Sequence, residues 1–525
     1  MLDLLWGIGG MIVIIAIALL FSVDRRKIRF RTVALALGLQ VGFGVLVLYV
    51  PAGRAALETV TLGVQAVINS SGAGIDFLFG PVLPEEGSVF AFQVLPVIVF
   101  FAALTSVLYH LGVLQWVVKI IGGGLAKLLG TSTPESMNAA ANIFVGQTEA
   151  PLVIRPYVAA MSRSELFAVM CGGLATVAGS VLVGYSLLGA PLEYLIAASF
   201  MAAPAALLMA KLLVPSGALE DAPALADGAD DDGARPGAGG PAQEDEERTG
   251  RRGVRQWLAG GARRGATSYA ALELTRRPDA PAPERTDAGH GGAGSSAARP
   301  GDADGVAGTA GTGRPGDADG PAGTGAPGDA ARTPDSEPVS VTDAAGDAAG
   351  EDDEPANVID AAARGASDGL SLALNVGAML IAFISLIALV NVVLGAVGGL
   401  FGLEALTLEQ LFGYVFAPVM FAVGVPWSEA LDAGSFLGQK LVLNEFVAFA
   451  DFAPQIGDYS PKTQAIVTFA LTGFANFGSL AILLGGLGGI APSRRADIAR
   501  LGLLSVLGGT LANLMSATIA GMLIG

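Results

Sequence analysis

The sequence predicts an all-α polytopic membrane protein with eight transmembrane helices plus two re-entrant helical hairpins, arranged as an inverted repeat. Three observations predict it. Of 525 residues, 52% are hydrophobic and only 15% charged, where a soluble chain carries about 25% charged residues. The apolar residues form runs, such as 4–23 and 370–400, as long as the ~20 residues a bilayer-spanning helix needs. Two further segments, 133–157 and 426–454, are too polar to face lipid and too apolar to be loops, which suits hairpins whose irregular tips are buried in protein.

The elements follow in order. Residues 1–23 lack a basic leader and a small-residue cleavage site, so they read as a membrane helix rather than a removed signal. Asp24-Arg-Arg-Lys-Ile-Arg-Phe-Arg31 follows directly. Basic loops stay in the cytoplasm, which puts the N-terminus outside. Residues 32–50 then run outward, 51–86 form an external loop with Glu58, Glu85 and Glu86, and 90–113 return. Residues 114–129, with Lys119 and Lys127 among apolar neighbours, suit an amphipathic helix at the inner surface. The first hairpin enters from inside. Residues 166–188 go out and 192–213 come back. Residues 370–400 go out, 406–423 lie at the outer surface, and the second hairpin enters from outside. Residues 464–490 return to Pro492-Ser-Arg-Arg495, and 501–524 end outside.

The charge sits elsewhere. Residues 216–357 hold 27 of the 47 acids and 13 of the 30 bases, which accounts for most of the net −17. This stretch is rich in Gly, Pro and Ala, and Arg299-Pro-Gly-Asp-Ala-Asp-Gly305 recurs as Arg314-Pro-Gly-Asp-Ala-Asp-Gly320. It is expected to be a disordered cytoplasmic insert, since it buries too little apolar surface to offset ordering. Its basic part, 248–277 with Trp257 and Tyr269, also has the composition of a membrane-surface segment.

The two hairpin segments resemble each other. In Pro134-Glu-Ser-Met-Asn-Ala-Ala-Ala-Asn-Ile-Phe-Val-Gly-Gln147 and in Pro426-Trp-Ser-Glu-Ala-Leu-Asp-Ala-Gly-Ser-Phe-Leu-Gly-Gln439, proline and glycine are twelve positions apart, with Phe two before the glycine. A Gly-rich span follows each: Gly172-Gly-Leu-Ala-Thr-Val-Ala-Gly-Ser180 and Thr472-Gly-Phe-Ala-Asn-Phe-Gly-Ser479. A hairpin plus interrupted helix, repeated upside down, is a transporter architecture with its site near the midplane.

Gln147, Thr148 and Glu149 fall at the first hairpin tip, and Asn444-Glu445-Phe446 in the second. Thr176, Ser180, Asn476 and Ser479 add amides and hydroxyls. A carboxylate inside a membrane is costly and marks function. The single cysteine, Cys171, excludes a disulfide framework, and His110 and His290 lie too far apart for a histidine-based site. No nucleophile–base pair, P-loop or metal-ligand spacing appears, so binding is favoured over an intramembrane hydrolase. Acids, amides and hydroxyls together suit a neutral, hydroxyl-rich ligand with amide-like edges, with Phe474 offering a face for a flat ring. Where the helices unwind, Asn142, the Val145 carbonyl, Thr176 and the Val177 carbonyl offer an all-oxygen shell, which suits Na⁺. The plainer alternative is that Asn142 and Thr176 only make local bonds within their own helices.

Gly146-Gln-Thr-Glu-Ala-Pro151, Asn444-Glu-Phe446, Gly473-Phe-Ala-Asn-Phe-Gly-Ser479 and Gly485-Gly-Leu-Gly-Gly-Ile-Ala-Pro-Ser-Arg-Arg495 resemble the signatures of the concentrative nucleoside transporter family. The resemblance spans about 4–213 and 358–524, and the insert between is a departure from the family pattern. It implies an ion-coupled nucleoside symporter, a homotrimer in the cytoplasmic membrane, with an elevator-type split into scaffold and transport domains. The expected parts are N-terminal scaffold helices (1–113), a first transport repeat (114–215), the insert (216–357), an interfacial helix and scaffold span (358–404) and a second transport repeat (405–525). By motif, Gln147, Thr148 and Glu149 face the nucleobase, with Phe474 and Val181 packing on it. Glu445, Asn476 and Ser479 hold the ribose. Asn142, Val145, Thr176 and Val177 match the family's sodium site. Glu149 and Glu445 are expected to be unpaired without ligand. No cofactor beyond Na⁺ as coupling ion, no enzymatic activity and no nucleic-acid partner is expected. A proton-coupled nucleoside carrier and an elevator carrier of another neutral solute remain alternatives. So does a receptor whose output is the insert, although low complexity argues against a folded signalling domain there.

Overall fold

A computed structural model describes residues 2–83, 89–219, 355–402 and 406–524. The expectation of a disordered insert, its basic stretch included, falls almost wholly on 220–354 and lies outside the described residues, as do Glu85 and Glu86.

The chain opens with α1 (Leu2–Leu20) and α2 (Phe30–Gly44), the latter running on through a π turn at Val45–Tyr49. The expected external loop is instead two helices, α3 (Pro51–Ser70) and α4 (Gly72–Phe79). Pro51, at the first helical position, starts α3 where its missing N–H costs nothing. Then come α5 (Phe90–His110) and α6 (Val113–Leu129), which end at the left-handed Gly130 (φ 68°).

The first hairpin segment forms α7 (Thr133–Ala141), a turn, a 3₁₀ stretch (Ala150–Ile154) and α8 (Arg155–Val158). The 166–188 span is two helices, α9 (Arg163–Ala175) and α10 (Gly179–Leu188), and α11 covers Leu192–Leu213. After the insert, α12 is a single helix, Val358–Gly399. Next, α13 (Leu408–Val423) and α14 (Trp427–Val442) meet at a 116° bend. Then α15 (Glu445–Phe452) follows a break at Leu443–Asn444, where the Asn444 side chain caps Val447 N at 2.9 Å. The 464–490 span is broken more deeply than a single crossing requires, into α16 (Pro461–Leu471) and α17 (Phe477–Ile490). Asn476 is extended (φ −143°, ψ 168°) and accepts Ser479 N at 2.7 Å, which starts α17 afresh. The long α18 (Arg495–Ile524) closes the fold.

Among the described residues seven helical stretches are long and apolar enough to cross a membrane; the eighth expected span, 464–490, is represented by the two shorter helices. The chain is therefore a helical membrane protein. Burial sorts these stretches. The windows in Arg163–Leu188 and Leu192–Leu213 are 94% buried, against 11% for Val358–Gly399. So α9–α11, with α16 and α18, make the interior, and α12 turns apolar side chains outward. Helices α1 and α2 rest on α11 and α18, while α5 lies along α12. Gly365 and Gly369 permit that last contact: a Cβ on either would stand within 2.8 Å of α5 backbone atoms.

Candidate functional site

The two helix breaks meet. The Phe474 N–H donates to the Thr176 carbonyl at 3.1 Å, so the link between α16 and α17 is joined to the one between α9 and α10. Asn513, buried in α18, staples both: its Nδ2 donates to Ala175 O at 2.7 Å and to Thr472 O at 2.8 Å. These are terminal carbonyls that the helices themselves leave without a partner.

The first hairpin leans on this junction. Gly179 N donates to Phe144 O at 3.1 Å. Gly172 faces the side-chain amides of Asn138 and Asn142, and a Cβ on Gly173 would stand 2.8 Å from Cβ of Gln147. Both local bonds of the plainer alternative are present: Thr176 Oγ1 donates to Gly172 O at 2.8 Å, and Asn142 Nδ2 to Asn138 O at 3.0 Å. They leave the oxygens free. Asn138 Oδ1, Asn142 Oδ1 and Gln147 Oε1 are buried with no hydrogen-bond partner among the described residues. The carbonyls of Val145 and Val177 accept none there either. Such orphaned acceptors are costly unless something fills them. Oxygen donors alone suit a small hard cation. Among the described residues no cluster of His, Cys, Asp and Glu offers a transition-metal site.

The second hairpin brings in Glu445. This buried carboxylate accepts Tyr185 OH at 2.9 Å and Asn476 Nδ2 at 3.0 Å. Tyr185 is fixed by stacking on Phe449 (centroids 4.3 Å, 21°) and by an edge contact with Phe446 (5.2 Å). Glu445 is thus partnered, contrary to expectation, because α10 delivers a phenol to it. Val181, one turn before Tyr185, shares its helix face and is buried. Ser479 is buried and half-buried Phe474 sits in the break.

Glu149 is half-buried and folds back to accept Gly146 N at 2.7 Å. Thr148 packs near Gly486 of α17, where a Cβ would come within 3.0 Å of its methyl. Helix α17 therefore touches both hairpins, Glu445 through its N-cap Asn476 and Thr148 through Gly486. No hydrogen bond joins Glu149 to Glu445 among the described residues. A half-open cavity of about 290 Å³ lies apart from this site, at the foot of the first hairpin, lined by Arg29, Thr32, Glu135, Glu165 and Lys211 among others. Sequence reasoning missed Tyr185, Asn513 and Asn138. The intramembrane amide of Asn513 was a usable signal.

A family model described as Na+ dependent nucleoside transporter C-terminus matches 330–521, its N-terminal counterpart matches 9–82, and one described as nucleoside recognition matches 91–192. The chain is 39% identical over 533 residues to a nucleoside permease, NupC, of Helicobacter pylori, covering 99% of this chain and 98% of that one. The chain belongs to the concentrative nucleoside transporter family. Other relatives of this nucleoside transporter chain are an uncharacterized transporter, YutK, of Bacillus subtilis (46% identity, 100% of both chains) and human solute carrier family 28 member 3 (30%, 98% of this chain and 59% of that one). These relatives are transporters and permeases, not enzymes. Among solved structures, CNTnw in an inward-facing substrate-bound state is 42% identical with a TM-score of 0.72, covering 99% of this chain and 98% of that one. An outward-facing state of a CNTnw variant scores 0.73, covering 100% and 98%.

Proposed function

We propose that this chain is a sodium-coupled nucleoside symporter of the cytoplasmic membrane. The carrying observation is the set of buried, donorless oxygens at Asn142, Val145 and Val177 beside the joined helix breaks. Sodium held there, with Thr176 Oγ1, orders the first hairpin tip that carries Gln147, Thr148 and Glu149. The nucleobase lies against that tip, with Phe474 and Val181 on its face. The ribose hydroxyls reach Glu445, Asn476 and Ser479, joining or replacing the Tyr185 and Asn476 hydrogen bonds. Because both ligands use the same hairpin, each raises the affinity of the other by the same factor. An inward sodium gradient then makes uptake concentrative.

The two hairpins are re-entrant and the repeats inverted. The α5–α12 pair is the static scaffold, and its outward apolar face, with α3, meets two further copies in a homotrimer. The rest moves as an elevator, and the packing of α1 and α2 on α11 and α18 supports assigning them to the moving part rather than to a 1–113 scaffold. Both termini lie outside and residues 216–357 in the cytoplasm.

Proteoliposomes holding the purified chain test this. Radiolabelled uridine and adenosine should accumulate under an inward sodium gradient and not under a proton gradient alone. Accumulation driven equally by protons, or indifferent to sodium, contradicts it.

A further inference from the structure

Lys440 is completely buried on α14, five residues before Glu445. Its Nζ donates to Ala470 O at 2.6 Å and to Asn513 Oδ1 at 2.8 Å. Ala470 lies in the last turn of α16, where the carbonyls lack helical partners and the helix dipole is negative. Asn513 turns its amide nitrogen to Ala175 O and Thr472 O, so its oxygen is the face left for a cation. Lys440 therefore closes the second helix break from the hairpin side.

Burying an ammonium is costly, and methionine would fill the same volume without that cost. A comparison of the two breaks suggests what the charge is for. Each ends its first half in a threonine whose hydroxyl donates four residues back, Thr176 to Gly172 O at 2.8 Å and Thr472 to Thr468 O at 2.7 Å. At the first break the buried oxygens of Asn138, Asn142 and Gln147 stand without donors among the described residues. At the second an ammonium is already in place.

We propose that Lys440 is a tethered cation, filling at the second break the role that sodium fills at the first. It holds the end of α16 and Asn513 in the geometry that the ion imposes on the end of α9. Only one break then responds to sodium. Lys440 is a positioning residue: it acts on Glu445 and Asn476 through the helix ends that carry them. The inference rests on the sodium-coupled reading above.

The test is uridine uptake by the full chain in proteoliposomes across a sodium series, with choline as replacement. Wild type should give a sodium activation slope of about 1, since the slope is bounded by the number of sites. Lys440→Met, filled but uncharged, should lose at least about tenfold in uptake at every sodium concentration. Lys440→Ala opens the cage, so uptake should fail at low sodium and recover at high sodium with a slope approaching 2. Wild-type uptake by Lys440→Met overturns the inference, and so does a folded Lys440→Ala whose slope stays at 1. Thermal unfolding in detergent provides the second measurement. Sodium should restore the melting temperature of Lys440→Ala and not of Lys440→Met, and equal sodium responses of the two overturn it. Absence of uridine uptake by wild type contradicts the transport reading instead, so the two failures are distinguishable.

Discussion

Glu445, itself buried, carries two charge-assisted hydrogen bonds, from Tyr185 and Asn476. Such bonds are worth about 1.5–3 kcal/mol each. Glu445→Gln keeps the volume and loses the charge, so the half-saturating uridine concentration should rise roughly ten- to a hundredfold, read from uptake at saturating sodium. Tyr185→Phe removes one donor and should give a smaller shift in the same assay. Asn142 predicts a different pattern. On the proposed assignment, Asn142→Ala removes one sodium ligand and none of the nucleoside contacts. The sodium concentration for half-maximal uptake should rise about tenfold or more while the maximal rate at high sodium recovers. A lower maximal rate with unchanged sodium dependence would move Asn142 out of the ion site. The motif residues at these positions were legible in the sequence because a membrane-embedded acid or amide is anomalous by itself. Tyr185 was not. A tyrosine on an apolar helix is ordinary until its partner, 260 residues away in sequence, is placed beside it.

At the scale of elements, glycines decide how closely the first hairpin approaches the helix breaks. A Cβ at Gly173 would meet Gln147 Cβ at 2.8 Å, so Gly173→Ala must push the hairpin tip away from α9. Overpacking of this kind costs about 1–3 kcal/mol. Sodium and uridine affinities should both fall, by roughly tenfold, and in parallel, which separates this variant from Asn142→Ala. Sequence reasoning reached the hairpins and the Gly-rich interruptions because polar residues inside apolar runs signal them. It passed over α3 and α4, since acids and a chain reversal made 51–86 look like a loop, whereas Pro51 starts a helix. In 464–490 the interruption it expected is made by Asn476 as an N-cap and Gly473 against Asn513, which end one helix and begin another.

For the whole molecule, burial separates an interior of α9–α11, α16 and α18 from a periphery built on α12. Every candidate binding residue lies on the interior elements, on the hairpins packed against them, or in the α16–α17 break and the first turn of α17. The acidic insert contributes none of them, and its composition predicts a tether rather than a machine part. Replacing 220–354 with a Gly/Ser linker of about 36 residues, whose mean reach is about 30–36 Å, should leave uridine uptake within about twofold of wild type. A complete loss with the protein still in the membrane would assign the insert a working role. The two ligand sites, by contrast, are expected to be inseparable, because one hairpin tip serves both. Equilibrium titration of uridine into the detergent-solubilised chain, in sodium and then in choline, examines that link without any gradient. Uridine should bind at least about tenfold more tightly in sodium, and sodium more tightly in uridine by the same factor; equal uridine affinity in the two salts would contradict a shared hairpin as the basis of coupling.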